Sequence, residues 1–164
     1  MILGIDPGPN ESGLALCDLE GTWGFEMKEN EDVVSIILGI PNVRKVIVAI
    51  EEIQGYGMAV AQETFDTCRW TGEFRRAAIM AGHTAVFVRR RQVRMALCNH
   101  PKAKDPNIRQ AIIDRFGGSR SAALGTKKRP GPLYGCSGHC WSALAVALVA
   151  ADQGGVSVTI EQDI

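Results

Sequence analysis

No apolar run in this sequence is long enough to cross a bilayer, which removes the helical membrane-spanning classes from consideration. The first residues, MILGIDPG, have no basic start and turn polar too early for a secretory leader, so a cytoplasmic location is expected. Cysteine occurs five times, at 17, 68, 98, 136 and 140, an odd number without framework spacing. That pattern excludes a disulfide scaffold and predicts reduced thiols. Internal repeats are lacking, so solenoids and propellers drop out. At 164 residues the chain fits one domain, 1–164, with room for a real core.

Acidic residues are nearly missing from the middle of the chain. The formal net charge is zero, yet residues 69–129 hold fifteen basic residues against three acidic ones (Glu73, Asp105 and Asp114), a net charge of +12. Residues 1–68 hold twelve acidic residues against Lys28, Arg44 and Lys45. A polyanion such as nucleic acid is the natural partner of so one-sided a segment. The bland alternative is a solvated basic surface, but such surfaces usually mix both signs.

The runs MILGI, GLALC and TWGFEMK, separated by DPGPNESG and DLEG, predict three strands in a meander. EDVVSIILGI has helical spacing and stops at Pro41. VRKVIVAIEEI predicts a fourth strand, with an apolar centre suited to burial on both faces. Residues 59–81 predict a long helix ended by Gly82, followed by a fifth strand, TAVFV, and a short helix in RRRQVRMAL. Asp105 is expected as the N-cap of another helix, with Pro106 at its first position. A basic loop at 118–135 precedes a last helix over 139–152. The tail at 155–164 suits either a small edge strand or disorder. The expected fold class is α/β: a mixed sheet, three antiparallel strands and then parallel ones, with helices on both faces.

Asp6 follows the first apolar run directly, and Glu51 follows the fourth. If those strands are neighbours, two carboxylates meet at their ends and repel unless a cation lies between them. Hard oxygen ligands suit Mg²⁺ or Mn²⁺. Position alone leaves the other reading open, two unrelated acids facing water. Glu52 is expected on the opposite side of the strand by simple alternation.

The stretches ILGIDPGPNESGLAL, AIEEIQ and GHCWSALAVALVA resemble, in this order, the RuvC-like Holliday junction resolvases, particularly their phage and prophage branch. RRRQVRMALCNHPKAKDPNIRQAIIDRF is similar to that family's segment between the fifth strand and the penultimate helix. The resemblance spans residues 1 to about 150 and implies a ribonuclease H-like fold. It implies an endonuclease that hydrolyses phosphodiesters in four-way or other branched DNA, in recombination, repair or phage genome debranching. Asp6, Glu51 and His139 then form the catalytic and metal site, with two Mg²⁺ or Mn²⁺ ions about 4 Å apart. Many members carry Asp where this chain has Ser142. Either the site runs on Asp6, Glu51 and His139, or another acid completes it, or the chain carries a substitution at 142. Glu52 and Asp105 are the spare acids. The family's aromatic three residues after the strand Glu is Gln54 here, with Tyr56 as a speculative substitute.

The DNA contacts expected are Arg69, Arg75 and Arg76 on the long helix, Arg89, Arg90, Arg91 and Arg94 after the fifth strand, and Lys127, Lys128 and Arg129 in the loop. A junction with two-fold symmetry calls for a symmetric homodimer, for which the long helix, with Phe65, Phe74 and Ile79, offers one face. Rival functions are a ribonuclease H-like nuclease on RNA–DNA hybrids and a non-catalytic junction-binding protein. A zinc site from Cys98, His100, Cys136, His139 and Cys140 has ligands of the right type but no standard spacing.

Overall fold

The computed structural model describes residues 1–18, 22–43, 45–55, 57, 59 and 61–154. Tyr56 and the tail at 155–164 lie outside the described residues. Five strands form one sheet: β1 (Ile2–Asp6), β2 (Glu11–Cys17), β3 (Trp23–Glu29), β4 (Ile47–Glu52) and β5 (Thr84–Arg89), in the order β3-β2-β1-β4-β5. The first three are antiparallel neighbours, and β4 and β5 run parallel to β1. β1 and β4 are therefore central and adjacent, as the two strand-end acids required.

Alternation along the central strands divides the core in two. Leu3, Ile5, Leu14, Val48 and Ile50 face α1 (Asn30–Gly39) and α2 (Gln62–Met80), where Val33, Ile37 and Phe74 are fully buried. Ile2, Ala15, Ala49, Val86 and Val88 face the other way. That layer holds α3 (Arg90–Cys98), α4 (Asp105–Arg115) and, after three smaller elements, the last helix. Of the apolar residues expected on the long helix, Phe74 is core, whereas Phe65 and Ile79 are exposed.

Sequence features explain most element ends. α2 starts at Gln62, three residues later than expected, and Gly82, at φ +76°, lets the chain turn into β5. The backbone N–H of Arg89 donates to the Gln92 side chain (2.7 Å) at the start of α3, and that of Lys104 to Asn107 Oδ1 (3.0 Å) at the start of α4. Lys104 is thus the N-cap residue of α4 and Asp105 lies inside the helix. The expected capping role of Asp105 is corrected: Asn107 serves the helix start, and the Asp105 carboxylate is engaged elsewhere. The basic 118–135 segment is also more ordered than a plain loop. It contains α5 (Arg120–Leu124), capped by Ser119 Oγ, and a two-stranded turn of β6 (Gly125–Thr126) and β7 (Arg129–Pro130).

The last helix, α6 (Cys140–Asp152), is apolar nearly all round and is buried from Ala143 to Ala150. It lies over a trough of small residues: Gly4 of β1 is paired with Ala15 of β2 on one side and Ala49 of β4 on the other. A side chain at Gly4 would collide with the Ala143 carbonyl oxygen and come within 2.8 Å of Ala147 Cβ. Backbone on both sides makes relaxation costly. Gly4→Ala should therefore lower unfolding stability by about 3 kcal/mol in urea titrations. Gly24→Ala, where an added Cβ meets nothing within 4 Å, should stay within about 0.5 kcal/mol of the parent.

Candidate active site

The parallel register that pairs Ile5 with Ile50 brings the next residues, Asp6 and Glu51, abreast at the ends of β1 and β4. Both lie on the α6 face, in step with Gly4 and Ala49, and each side chain is 14% exposed. The loop after Asp6 is pinned from below. The Ser12 hydroxyl, fully buried, donates to Asn30 Oδ1 (2.6 Å), the Asn30 amide donates to the Gly8 carbonyl (3.0 Å), and the Gly8 N–H donates to Ser12 Oγ (3.3 Å).

His139 caps the start of α6 and lies 2.9 Å, Nδ1 to Oδ2, from Asp6. Gly13 makes this approach possible: it is the β2 partner of Asp6, and a Cβ there would fall 2.7 Å from the His139 carbonyl carbon. The structure thus brings Asp6, Glu51 and His139 together, and Ser142 one turn further along the helix faces the same space.

Arg90 changes the picture drawn from the sequence. Its guanidinium turns inward, with one nitrogen 3.3 Å from Glu51 Oε1 and 3.2 Å from Ser142 Oγ, and the other on the Asp105 carboxylate. Only 20% of the side chain is exposed. Arg90 therefore belongs to the acid cluster and is not an outward phosphate contact. Glu52 is held by Arg89 at 2.6 Å, Nε to Oε2, and it too lines the cleft.

Of the other expected basic contacts, Arg91, Lys127, Lys128 and Arg129 are exposed. Arg69 and Arg76 are exposed but lie beside Asp66 (2.7 Å) and Glu73 (3.6 Å), and Arg75 lies over the Phe87 ring. Arg94 lines the cleft, with one nitrogen 3.5 Å from the Pro101 carbonyl. A further group, Arg109, was not singled out from the sequence. It is exposed, sits 5.2 Å over the Trp141 ring and lines the same cleft of about 550 Å³ as Asp6, Glu51, Arg90 and His139. Its only sequence signal was membership of the basic segment.

Burial, and next the charge of Asp6, push the Glu51 carboxyl up to about 7, against the opposing pull of Arg90. That uncompensated charge fits one oxygen-preferring divalent cation on Asp6 and Glu51. Among the described residues, however, no group of three or more His, Cys, Asp or Glu side chains is arranged to hold a metal ion. The zinc reading is corrected by the same finding: Cys136 and Cys140 are buried, and His139 turns to Asp6.

No protein-family model matches the chain, and no curated protein sequence matches it. Solved structures do. The sheet order, with helices on both faces, is that of the ribonuclease H-like fold. Within it, the chain is similar to the Thermus thermophilus RuvC structure (TM-score 0.62, 22% identity, covering 93% of this chain and 96% of that one). It is also similar to T. thermophilus RuvC in complex with a Holliday junction substrate (TM-score 0.64, 20% identity, 94% of each chain). These likenesses establish the fold.

The raised Glu51 carboxyl has a consequence for stability. Without a cation, the folded chain binds more protons than the unfolded one between about pH 4.5 and 7. Stability therefore falls as pH rises through that window, because ionising Glu51 places a charge in a buried site and, next, sets it against Asp6. In EDTA the thermal midpoint should drop by roughly 5 °C from pH 5 to pH 8. Glu51→Gln should lack that drop, and a parallel slope in the variant would assign the effect to other groups.

Proposed function

We propose that this chain is a divalent-metal-dependent endonuclease that cuts four-way or similarly branched DNA. The observation that carries the reading is the pair of carboxylates, Asp6 and Glu51, abreast at the ends of two parallel strands beneath His139 in an open cleft. The likeness to RuvC, whose complex holds a Holliday junction substrate, supports the choice of DNA. So does the segment 69–129, with its net charge of +12. The motif resemblance supports a phage or prophage branch, acting in the bacterial cytoplasm. Among the described residues no helix is long and apolar enough to cross a membrane.

Asp6 and Glu51 would hold the cation through hard carboxylate oxygens. A divalent ion there supplies Lewis acidity toward the scissile phosphate and lowers the pKa of a water. His139 keeps Nδ1 on Asp6, so Nε2 is the ring nitrogen left to take a proton from that water. Arg109 and Arg94, lining the cleft, would hold flanking phosphates, and Arg91 with Lys127, Lys128 and Arg129 would track the arms of the DNA. Two matched cuts across a symmetric junction require a homodimer. A non-catalytic junction-binding role is the second reading, favoured by Arg90 and Ser142, which spend a cation and a neutral hydroxyl where a nuclease would gain from acids.

A labelled four-way junction, incubated with and without Mg²⁺ or Mn²⁺ and beside an RNA–DNA hybrid, separates these readings. Metal-dependent nicking of the junction is expected, and tight binding without nicking would establish the second reading. Asp6→Asn should abolish nicking while binding stays equal or tightens, because a charge repelling phosphate is lost together with a ligand. His139→Ala should cut the rate at least about ten-fold. Charge reversal at Lys127, Lys128 and Arg129 should weaken binding and flatten its salt slope by about one unit per lost phosphate contact. An unchanged slope would place that turn away from the DNA.

A further inference from the structure

We infer that Arg90 is a built-in cation of the cleft that takes the place of a second divalent ion, so that each site binds one ion and not two. This rests on the proposed nuclease reading and deepens it. The argument starts from placement. Arg90 is the first residue of α3, directly after β5, and the Arg89 N–H to Gln92 bond fixes the turn between them. From there the guanidinium reaches Glu51, Ser142 and Asp105, which come from β4, α6 and α4.

Charge gives the second line of argument. Of the four carboxylates that line the cleft, Asp105 is held by Arg90 and Glu52 by Arg89, while Arg94 and Arg109 add positive charge to its walls. Asp6 and Glu51 remain for a bound cation, and one divalent ion balances those two charges. A second ion would leave the cleft with a positive excess and would need further carboxylates, since paired ions about 4 Å apart depend on shared acidic ligands. α6 offers a neutral hydroxyl there, Ser142, and it accepts from Arg90.

Chemistry gives the third. A second ion would stabilise charge developing on the phosphate. A guanidinium does the same through a fixed fork of N–H donors. The three contacts of Arg90 use three of its five N–H groups. Donors therefore remain for a phosphate oxygen in the cleft, and the carboxylates on either side keep the fork from swinging away. Arg90 would thus be a catalytic residue that touches the scissile group, at a position where sequence reasoning placed only a surface contact.

The test is a titration of the 164-residue chain with Mn²⁺, without DNA, reading free ion by electron paramagnetic resonance. The wild type should bind one Mn²⁺ per chain at the site, and Asp6→Asn should lose it. The double variant Arg90→Gln/Ser142→Asp, which removes the guanidinium and adds an acid, should bind two. On a four-way junction, Arg90→Gln should cut at least about thirty-fold more slowly while junction affinity stays within about threefold. Arg90→Lys keeps the charge but not the fork; it should bind one Mn²⁺ and cut at an intermediate rate, which guards against a folding failure of the glutamine variant. Two Mn²⁺ per wild-type chain, a double variant that still binds one, or wild-type cutting by Arg90→Gln would each overturn the assignment and leave the nuclease reading standing. A wild-type chain that binds no Mn²⁺ and nicks no junction would overturn both.

Discussion

The close seating of α6 on the sheet is the constraint on which the rest of the structure depends. The helix can lie this near only because its track over the strands is made of Gly4, Ala15, Ala49 and Gly13. That nearness puts His139 against Asp6 and Ser142 against Arg90. A methyl group at Gly13 would displace His139 without touching any charged group. Packing thus sets the geometry of the chemistry, and the chemistry adds little to the packing. The apolar stretch Ala143–Ala150 drives the seating through burial, while the polar residues ride at its first turn.

Seating the helix there also encloses two like charges. Glu51 and Asp6 are held at the end of a dry core and cannot both ionise cheaply. The chain answers with cations of its own and leaves part of the charge unbalanced. Arg90 takes Glu51 and Asp105, and Arg89 takes Glu52. What remains is unbalanced negative charge at Asp6 and Glu51, in a cleft that Arg94 and Arg109 also line. On the proposed reading, an ion bound there would link the protein to the phosphate of a nucleic acid. Such a site is poorly stable when empty and gains from its ligands.

Much of this was legible in the sequence. An apolar strand that ends in an acid announces a buried strand, and strands 1 and 4 are indeed neighbours. The order of elements, the helices on both faces and the start of the last helix at His139 all followed from periodicity and turn residues. What stayed hidden depended on tertiary contact. Nothing local tells whether Asp105 caps its own helix or reaches across to another, because both use the same carboxylate; Asn107, two residues on, takes the capping task and frees it. The turn of Arg90 inward could not be read from a run of three arginines. The order within 118–135 was hidden by composition, since Gly, Pro and Lys suit a loop and a tight two-stranded turn equally.

The doubled residues in the sequence now have a common explanation. Glu51-Glu52 ends one strand and Arg89-Arg90 ends its parallel neighbour. Register sets Glu52 opposite Arg89, and side chains directly opposite share a face, so these two neutralise each other where Glu52 joins the cleft lining. Moving one residue back along β4 and one forward past β5 changes the face. Glu51 then looks toward α6, and Arg90, starting a helix, is turned to meet it. The same pair of chemistries is thus used twice. Between Glu52 and Arg89 it makes a more exposed ion pair that adds little to stability. On the inner face burial strips away solvent and raises the strength of every charge interaction. The difference between an exposed pair and a buried one lies in a single step along the strand.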